Sequence, residues 1–292
     1  MNSKYCEGES VDTKLILIEG LPGSGKSTTA ELVHNILRKN GIEADVYYEG
    51  DLDHPADFES VAYFTNEEWH LLLEEFSSFR ERFAAKSISE DNGFLLPYKK
   101  LGSDIPDAFY EIAFKHDIYE LPFEQNIRLI TQKWTRFARQ AENSKKVHIF
   151  ECCFIQNPIT IGMIKYGAPQ TKILDYVLAL ENSVKKLNPM LIYINQDNVD
   201  YSFKKAVKER PKSWSEGFIN YYTQQVYGKQ NHLSGEEGTI KVLKARRKAE
   251  EEILKRLSIR KAVINNSAYD ELSHETALEN ILNTHPVRKG NG

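Results

Sequence analysis

Eight consecutive residues, Gly20-Leu21-Pro22-Gly23-Ser24-Gly25-Lys26-Ser27, set three glycines, a lysine and a hydroxyl in the spacing G-x-x-x-x-G-K-[ST]. Glycines lack the Cβ that would stop successive backbone N–H groups from turning toward one point, and such a point suits an oxyanion. Lys26 adds a point charge, and the Ser27 hydroxyl is a hard oxygen ligand of the kind Mg²⁺ takes. A helix beginning here aims the positive end of its dipole at the same place. The chemistry this pattern predicts is the binding of a nucleotide's phosphates, with Mg²⁺ at Ser27, by a loop that holds Gly20, Pro22, Gly23, Ser24, Gly25, Lys26, Ser27 and Thr28.

Carboxylates form the second group. Glu49, Asp51 and Asp53 follow an apolar run, Ala44–Tyr48, and a carboxylate there can orient a hydroxyl and accept its proton. Glu49 stands at the strand end; a solvated acidic turn is the competing reading, and His54 reads as a turn histidine. A second carboxylate, Glu151, ends the run Val147–Glu151 and is the expected partner of Ser27 on the metal. Gln156 and Asn157, just beyond, are expected to hydrogen-bond the acceptor. Lys204, Lys205, Lys208, Arg210 and Lys212 make a late basic stretch. A cation closing over a transferring phosphoryl group stabilises its developing charge. Arg210 leads for that role, followed by Arg246 and Arg247.

These groups need a frame. Five short apolar runs read as buried strands: Leu15–Glu19, Ala44–Tyr48, Val147–Glu151, Met190–Asn195 and Lys261–Asn265. Helical periodicity falls between them, clearest over 124–141, 170–187 and 236–257, which predicts a parallel sheet with helices on both faces. In such sheets ligands sit beyond the carboxyl ends of the strands, where the glycine loop and both carboxylates fall. About a hundred residues separate the second and third strands, far more than one crossover needs. They are expected to be a helical insertion, about 55–145, with one helix over 66–86 and a loop around Gly93, Pro97, Gly102 and Pro106. A helical lid is expected at about 200–250.

From Asn40 to Phe79 there are eleven acidic residues and no lysine or arginine. A phosphorylated acceptor would call for an arginine fork, so a neutral or cationic acceptor is expected. Trp69, Tyr63 and Phe64 are either a stacking platform or core. Hydrophobic content of 41%, charged content of 27% and a net charge of −4 give no reason to expect nucleic acid or membrane as partner. Three cysteines, Cys6, Cys152 and Cys153, argue against a disulfide framework and for a reducing, cytoplasmic setting. The polar N-terminus lacks a signal core, and P-V-R-K-G-N-G reads as a tail.

The chain resembles the P-loop kinases of the nucleoside and nucleotide kinase superfamily, the thymidylate-kinase-like set. The resemblance rests on G-L-P-G-S-G-K-S-T-T after the first strand, E-G-D after the second, F-E ending the third, and the late basic helix. It implies an α/β, three-layer α/β/α fold with a five-stranded parallel sheet. It also implies ATP at Gly20–Thr28, Mg²⁺ at Ser27 and Glu151, the acceptor hydroxyl at Glu49 or Asp51, and Arg210 in the lid. Monophosphate kinases usually carry an Arg near the second strand and an Asp-Arg pair after the third; here those places read Glu49-Gly50-Asp51 and Glu151-Cys152. The expected activity is phosphoryl transfer to a small-molecule hydroxyl, nucleoside-like or a cationic natural product, with room for a homodimer. The alternative is a regulatory ATPase or GTPase switch acting through a protein partner, against which Asn195–Asp197 lacks the Lys and spacing of N-K-x-D.

Overall fold

The structure, a computed structural model, describes residues 13–284. Cys6, the polar N-terminus and the P-V-R-K-G-N-G tail lie outside the described residues. Two compact units form, one from the chain up to Glu49 and from Phe137 onward, the other from Gly50–Arg136.

The first unit is an α/β unit. Its strands are β1 (Leu15–Gly20), β2 (Ala44–Tyr47), β6 (Val147–Glu151), β7 (Met190–Asn195) and β8 (Arg260–Asn265), all parallel, in the order β2-β6-β1-β7-β8. Each expected strand is present within a residue of its predicted ends. Strand residues alternate faces, so one row of side chains packs on each side. On one face Ile16, Ile18, Ile149, Ile192 and Ile194 meet Ala30, Val33 and Ile36 of α1 (Lys26–Lys39) and Leu278 and Leu282 of α12 (Glu271–Thr284). On the other, Leu15, Leu17, Phe150, Leu191 and Tyr193 are equally buried. Phe137 covers Phe150 at 4.7 Å between ring centroids, and the Tyr193 hydroxyl reaches Glu250 of α11 (Gly235–Arg256). Each such aliphatic side chain contributes about 1.5–3 kcal/mol by leaving water.

After β6 the chain forms a short helix, α6 (Gln156–Ile159), a π-helical turn over Thr160–Lys165, and α7 (Gln170–Val184). Beyond β7 come α8 (Val199–Glu209), α9 (Lys212–Gln224) and α10 (Val226–Gln230). Asn198 caps α8 by accepting from the Tyr201 N–H. The basic stretch breaks at Arg210, because Pro211 excludes the helical conformation from the residue before it.

The second unit corrects the expected helical insertion over about 55–145. It covers Gly50–Arg136 and contains a three-stranded antiparallel sheet, β3 (Val61–Thr65), β4 (Ile88–Glu90) and β5 (Gly93–Pro97), in the order β3-β5-β4. The loop expected around Gly93 and Pro97 is therefore a strand. Phe94, Leu95 and Leu96 between them belong in an apolar layer, and Pro97 stands at the end of the ladder, where its missing N–H costs little. The helix expected over 66–86 is two, α2 (Asn66–Glu75) and α3 (Arg80–Lys86), parted by a 3₁₀ turn at Ser77–Phe79. Thr65 and Glu68 form a capping box that starts α2. Two further helices are α4 (Asp107–Lys115) and α5 (Phe123–Ala141). Trp69, Tyr63 and Phe64 are all buried, so they are core and not a stacking platform. His54 is buried as well, where a turn histidine was expected; its Nδ1 accepts the Ala56 N–H.

Among the described residues no helix is long and apolar enough to cross a membrane.

Candidate functional site

The glycine loop connects β1 to α1 at the carboxyl end of the sheet, where β1 lies between β6 and β7. The chain thus changes direction along the sheet there, which opens a crevice. Two glycines make the loop possible. At Gly20, φ is +151° and a Cβ would stand 2.5 Å from the Ile194 carbonyl oxygen; at Gly25, φ is +97° and a Cβ would meet Asn266 Nδ2 at 2.6 Å. No other residue fits either position without a shift.

The loop is braced from behind. Gln196 Nε2 and Asn266 Nδ2 both donate to the Ser24 carbonyl, at 3.3 and 2.9 Å, and the Tyr269 hydroxyl donates to the Gly23 carbonyl at 3.2 Å. Thr29 Oγ1 donates to the Gly25 carbonyl and pairs with the His274 ring at 2.8 Å. The first-turn N–H groups of Lys26, Ser27 and Thr28 have no intrahelical acceptor, and all three residues border the crevice.

The loop borders a cavity of about 1150 Å³ that also meets Glu49, Glu151, Gln156, Arg210 and the side of α9. Ser27 Oγ donates to Glu151 Oε1 at 2.8 Å, and the Glu49 backbone N–H donates to Glu151 Oε2 at 3.2 Å. Gln156 Nε2 donates to Glu49 Oε1 at 3.0 Å. The structure thus brings together the loop, Lys26, Glu49 and Glu151, which lie at the carboxyl ends of their strands, and places Arg210 on the same cavity. Asp51 belongs to the second unit, where its Oδ1 accepts the Asp53 N–H, and Asp53 pairs with Lys100.

Lys26 is buried and donates to the Leu21 carbonyl at 3.1 Å. Burial opposes its charge, but Cys152, Glu151 and Glu49 outweigh that and hold its pKa above the ordinary lysine value. Burial of Cys152 raises its thiol well above the usual range, so it is no nucleophile. Cys152 also has φ +72°, a conformation that a non-glycine residue keeps only where its surroundings fix it. Directly behind, Glu19, the last residue but one of β1, is buried and accepts the N–H groups of Phe154, Ile155 and Gln156 at 2.7–3.0 Å. Burial pushes its carboxyl up to about 7 against those three donors. Glu19 holds the turn that carries Gln156.

Of the three arginines expected in a lid, Arg210 alone lines the cavity. Arg210 lies at the cavity edge with its guanidinium 4.4 Å over the Trp214 ring. Arg246 is a correction: it is fully buried and its Nε donates to Glu250 at 2.7 Å. Its other nitrogens reach the Tyr222 hydroxyl at 2.6 Å and Gln156 Oε1 at 3.4 Å. Burial works against that charge, but Tyr222 and Glu250 raise its pKa further. Arg247 is a correction too, since its Nη1 donates to the Gln196 and Asp197 carbonyls after β7. Both arginines sit on α11, which packs on α9 and α8 and contributes no residue to the cavity lining.

The aromatic side of α9 went unnoticed in the sequence. Trp214, Phe218, Tyr221 and Tyr222 line the cavity, and their spacing of four, three and one is a helical face that could have revealed them.

A divalent ion fits this site in one way. Among the described residues no cluster of three or more His, Cys, Asp or Glu could hold a metal. Ser27 and Glu151 offer two adjacent oxygens, the small share of a magnesium shell that protein supplies where phosphates and water complete it. No protein-family model matches the chain, and no curated protein is similar to it.

Proposed function

We propose that this protein is an ATP- and Mg²⁺-dependent kinase that transfers a phosphoryl group to a hydroxyl of a small molecule. The observation that carries the reading is the Ser27–Glu151 hydrogen bond at 2.8 Å beside the glycine loop, with Glu49 one N–H away. That arrangement suits the P-loop kinase fold, in which metal, phosphate and acceptor oxygens must meet in one small volume.

In this reading ATP supplies the phosphoryl group and magnesium neutralises its oxygens. The loop amides and Lys26 hold the phosphates, and Ser27 and Glu151 hold the metal. Glu49 is held by Gln156 through Oε1, and its Oε2 has no partner among the described residues. It receives the proton of the acceptor hydroxyl as that oxygen bonds to phosphorus and the bond to the leaving oxygen of ADP breaks. Arg210, at the end of α8, faces the charge that develops on the transferred group.

The acceptor is neutral or cationic. Among the cavity's cations, Lys205 is paired with Glu209 at 2.7 Å, which leaves Lys26 and Arg210 for the ATP phosphates and none for a second phosphorylated ligand. Buried Cys152 and Cys153 suit a reducing, cytoplasmic compartment.

The test is release of ADP in the presence of nucleosides, sugars or aminoglycoside-like amines, with Lys26→Ala as the blank. Acceptor-dependent release, lower by orders of magnitude in Lys26→Ala, is expected. Brisk acceptor-independent hydrolysis would overturn the reading in favour of a nucleotide switch.

A further inference from the structure

Arginine has five N–H donors and no acceptor, so any group bonded to a guanidinium must offer its lone pair. Arg246 Nη1 lies 2.6 Å from the Tyr222 oxygen. Tyr222 therefore accepts there, and its own proton must go elsewhere. The side chain is 4% exposed and borders the cavity, and among the described residues no acceptor takes that proton. A buried donor left unmade costs about 1–3 kcal/mol. The bond from a cation also polarises the phenol and strengthens it as a donor.

The same arginine fixes a second direction. Its Nη2 donates to Gln156 Oε1 at 3.4 Å, which turns the Gln156 amide nitrogen to Glu49. Arg246 cannot reverse either bond, having no acceptor, and it is anchored by Glu250 Oε1, which takes its Nε, while Tyr193 donates to Glu250 Oε2 at 2.5 Å.

Beside Tyr222 the wall is a ladder of stacked aromatic rings. Trp214, Phe218 and Tyr222 follow at i, i+4 and i+8 on α9, with Phe218 stacked on Tyr222 at 4.0 Å and 17° and on Trp214 at 5.1 Å and 29°. Phe218 has a ring against each face, so the ladder turns ring edges to the cavity, and aromatic edges meet the face of another ring. Arg246 and Glu250 neutralise one another, so no uncompensated charge behind Tyr222 draws an ionic ring to this part of the wall.

We infer that Tyr222 is a hydrogen-bond donor to the cavity's ligand, held in that role by Arg246 as a positioning residue. The part of the ligand against α9 is a flat, uncharged ring bearing a hydrogen-bond-accepting atom. This describes the phosphoryl acceptor and rests on the proposed function for that identity alone.

The probe is caffeine, a flat, uncharged ring system with acceptors and no donors, titrated into the full chain without ATP and followed by ligand-observed NMR. Indole, a flat donor without an acceptor, is the control. Saturable caffeine binding is expected, weakened about five- to tenfold in Tyr222→Phe. Arg246→Lys is expected to lose a similar factor, and the double variant no more than the larger single loss, since the two residues act through one bond. Indole binding should not change. Tyr222→Phe keeps the ring ladder, and its melting temperature checks that it folds. Equal caffeine affinity in Tyr222→Phe and the natural protein, or no saturable binding, would overturn the inference. Caffeine has no hydroxyl to phosphorylate, so this result is separate from turnover: ADP release with an acceptor can succeed while caffeine binding fails, and the reverse.

Discussion

Replacing Arg246 by Met should be among the most damaging single changes in the first unit, and pairing it with Glu250→Leu should undo most of the damage. Both side chains are 1% exposed and bonded at 2.7 Å. With Arg246 gone, the Glu250 carboxylate keeps only the Tyr193 hydroxyl. Breaking a buried pair by removing one partner costs about 3–5 kcal/mol, because a charge stays out of water uncompensated. That is a factor of roughly 10² to 10³·⁵ in the folding equilibrium, out of a total stability of about 5–15 kcal/mol. Removing both charges and filling the volume with apolar atoms avoids the penalty, and such replacements are often neutral. The assay is urea unfolding at pH 7 followed by circular dichroism. At a slope of about 2 kcal/mol per molar urea, the midpoint should fall by about 1.5–2.5 M in the single variant. A shift below about 0.5 M for Arg246→Met, or a double variant as unstable as the single one, would refute the argument that the pair is a desolvated, mutually dependent charge couple.

Gly25→Ala should destabilise the protein by about 1–3 kcal/mol and weaken binding of a fluorescent ATP analogue, because φ is +97° and the new Cβ meets Asn266 Nδ2 at 2.6 Å; unchanged binding would show that the loop accepts a side chain there. Glu49→Gln should leave that binding intact and lower acceptor-dependent ADP release by about 10²-fold or more, and normal release would remove Glu49 from the proton-accepting role. The second unit should lose stability in acid. Burial pushes His54 down to about 3 from 6.5, so the unfolded chain binds the proton first. The neutral ring's contribution is whole above pH 6.5 and is lost as pH falls from 6.5 toward 3, by at most about 1.4 kcal/mol per pH unit. Urea midpoints for His54→Gln that track the natural protein across this range would sink the assignment.

The parallel sheet was legible because each of its strands is a short, continuous apolar run, and the glycine loop because its spacing is fixed by the phosphate it suits. The site's first carboxylates, Glu49 and Glu151, were legible for the same reason: parallel strands deliver their last residues to one edge, so position along the strand is position in the crevice. The second unit was less legible. Gly93 and Pro97 are loop residues by propensity, yet they bracket Phe94-Leu95-Leu96, and pairing with β3 and β4 decided the matter.

The sequence by itself determined which residues could touch a phosphate or a metal, since backbone freedom at Gly20 and Gly25 and the chemistry of Lys26 and Ser27 are properties of those residues. Only the tertiary structure decided what lies behind them. Arg246 reads as one basic residue among many on a Lys/Arg-rich helix, indistinguishable in type from its neighbour Arg247. Folding buries one beside Glu250 and Tyr222 and leaves the other bonded to carbonyls after β7. The difference comes from helix packing, because a one-residue step turns a side chain about 100° around the axis and so from surface to core.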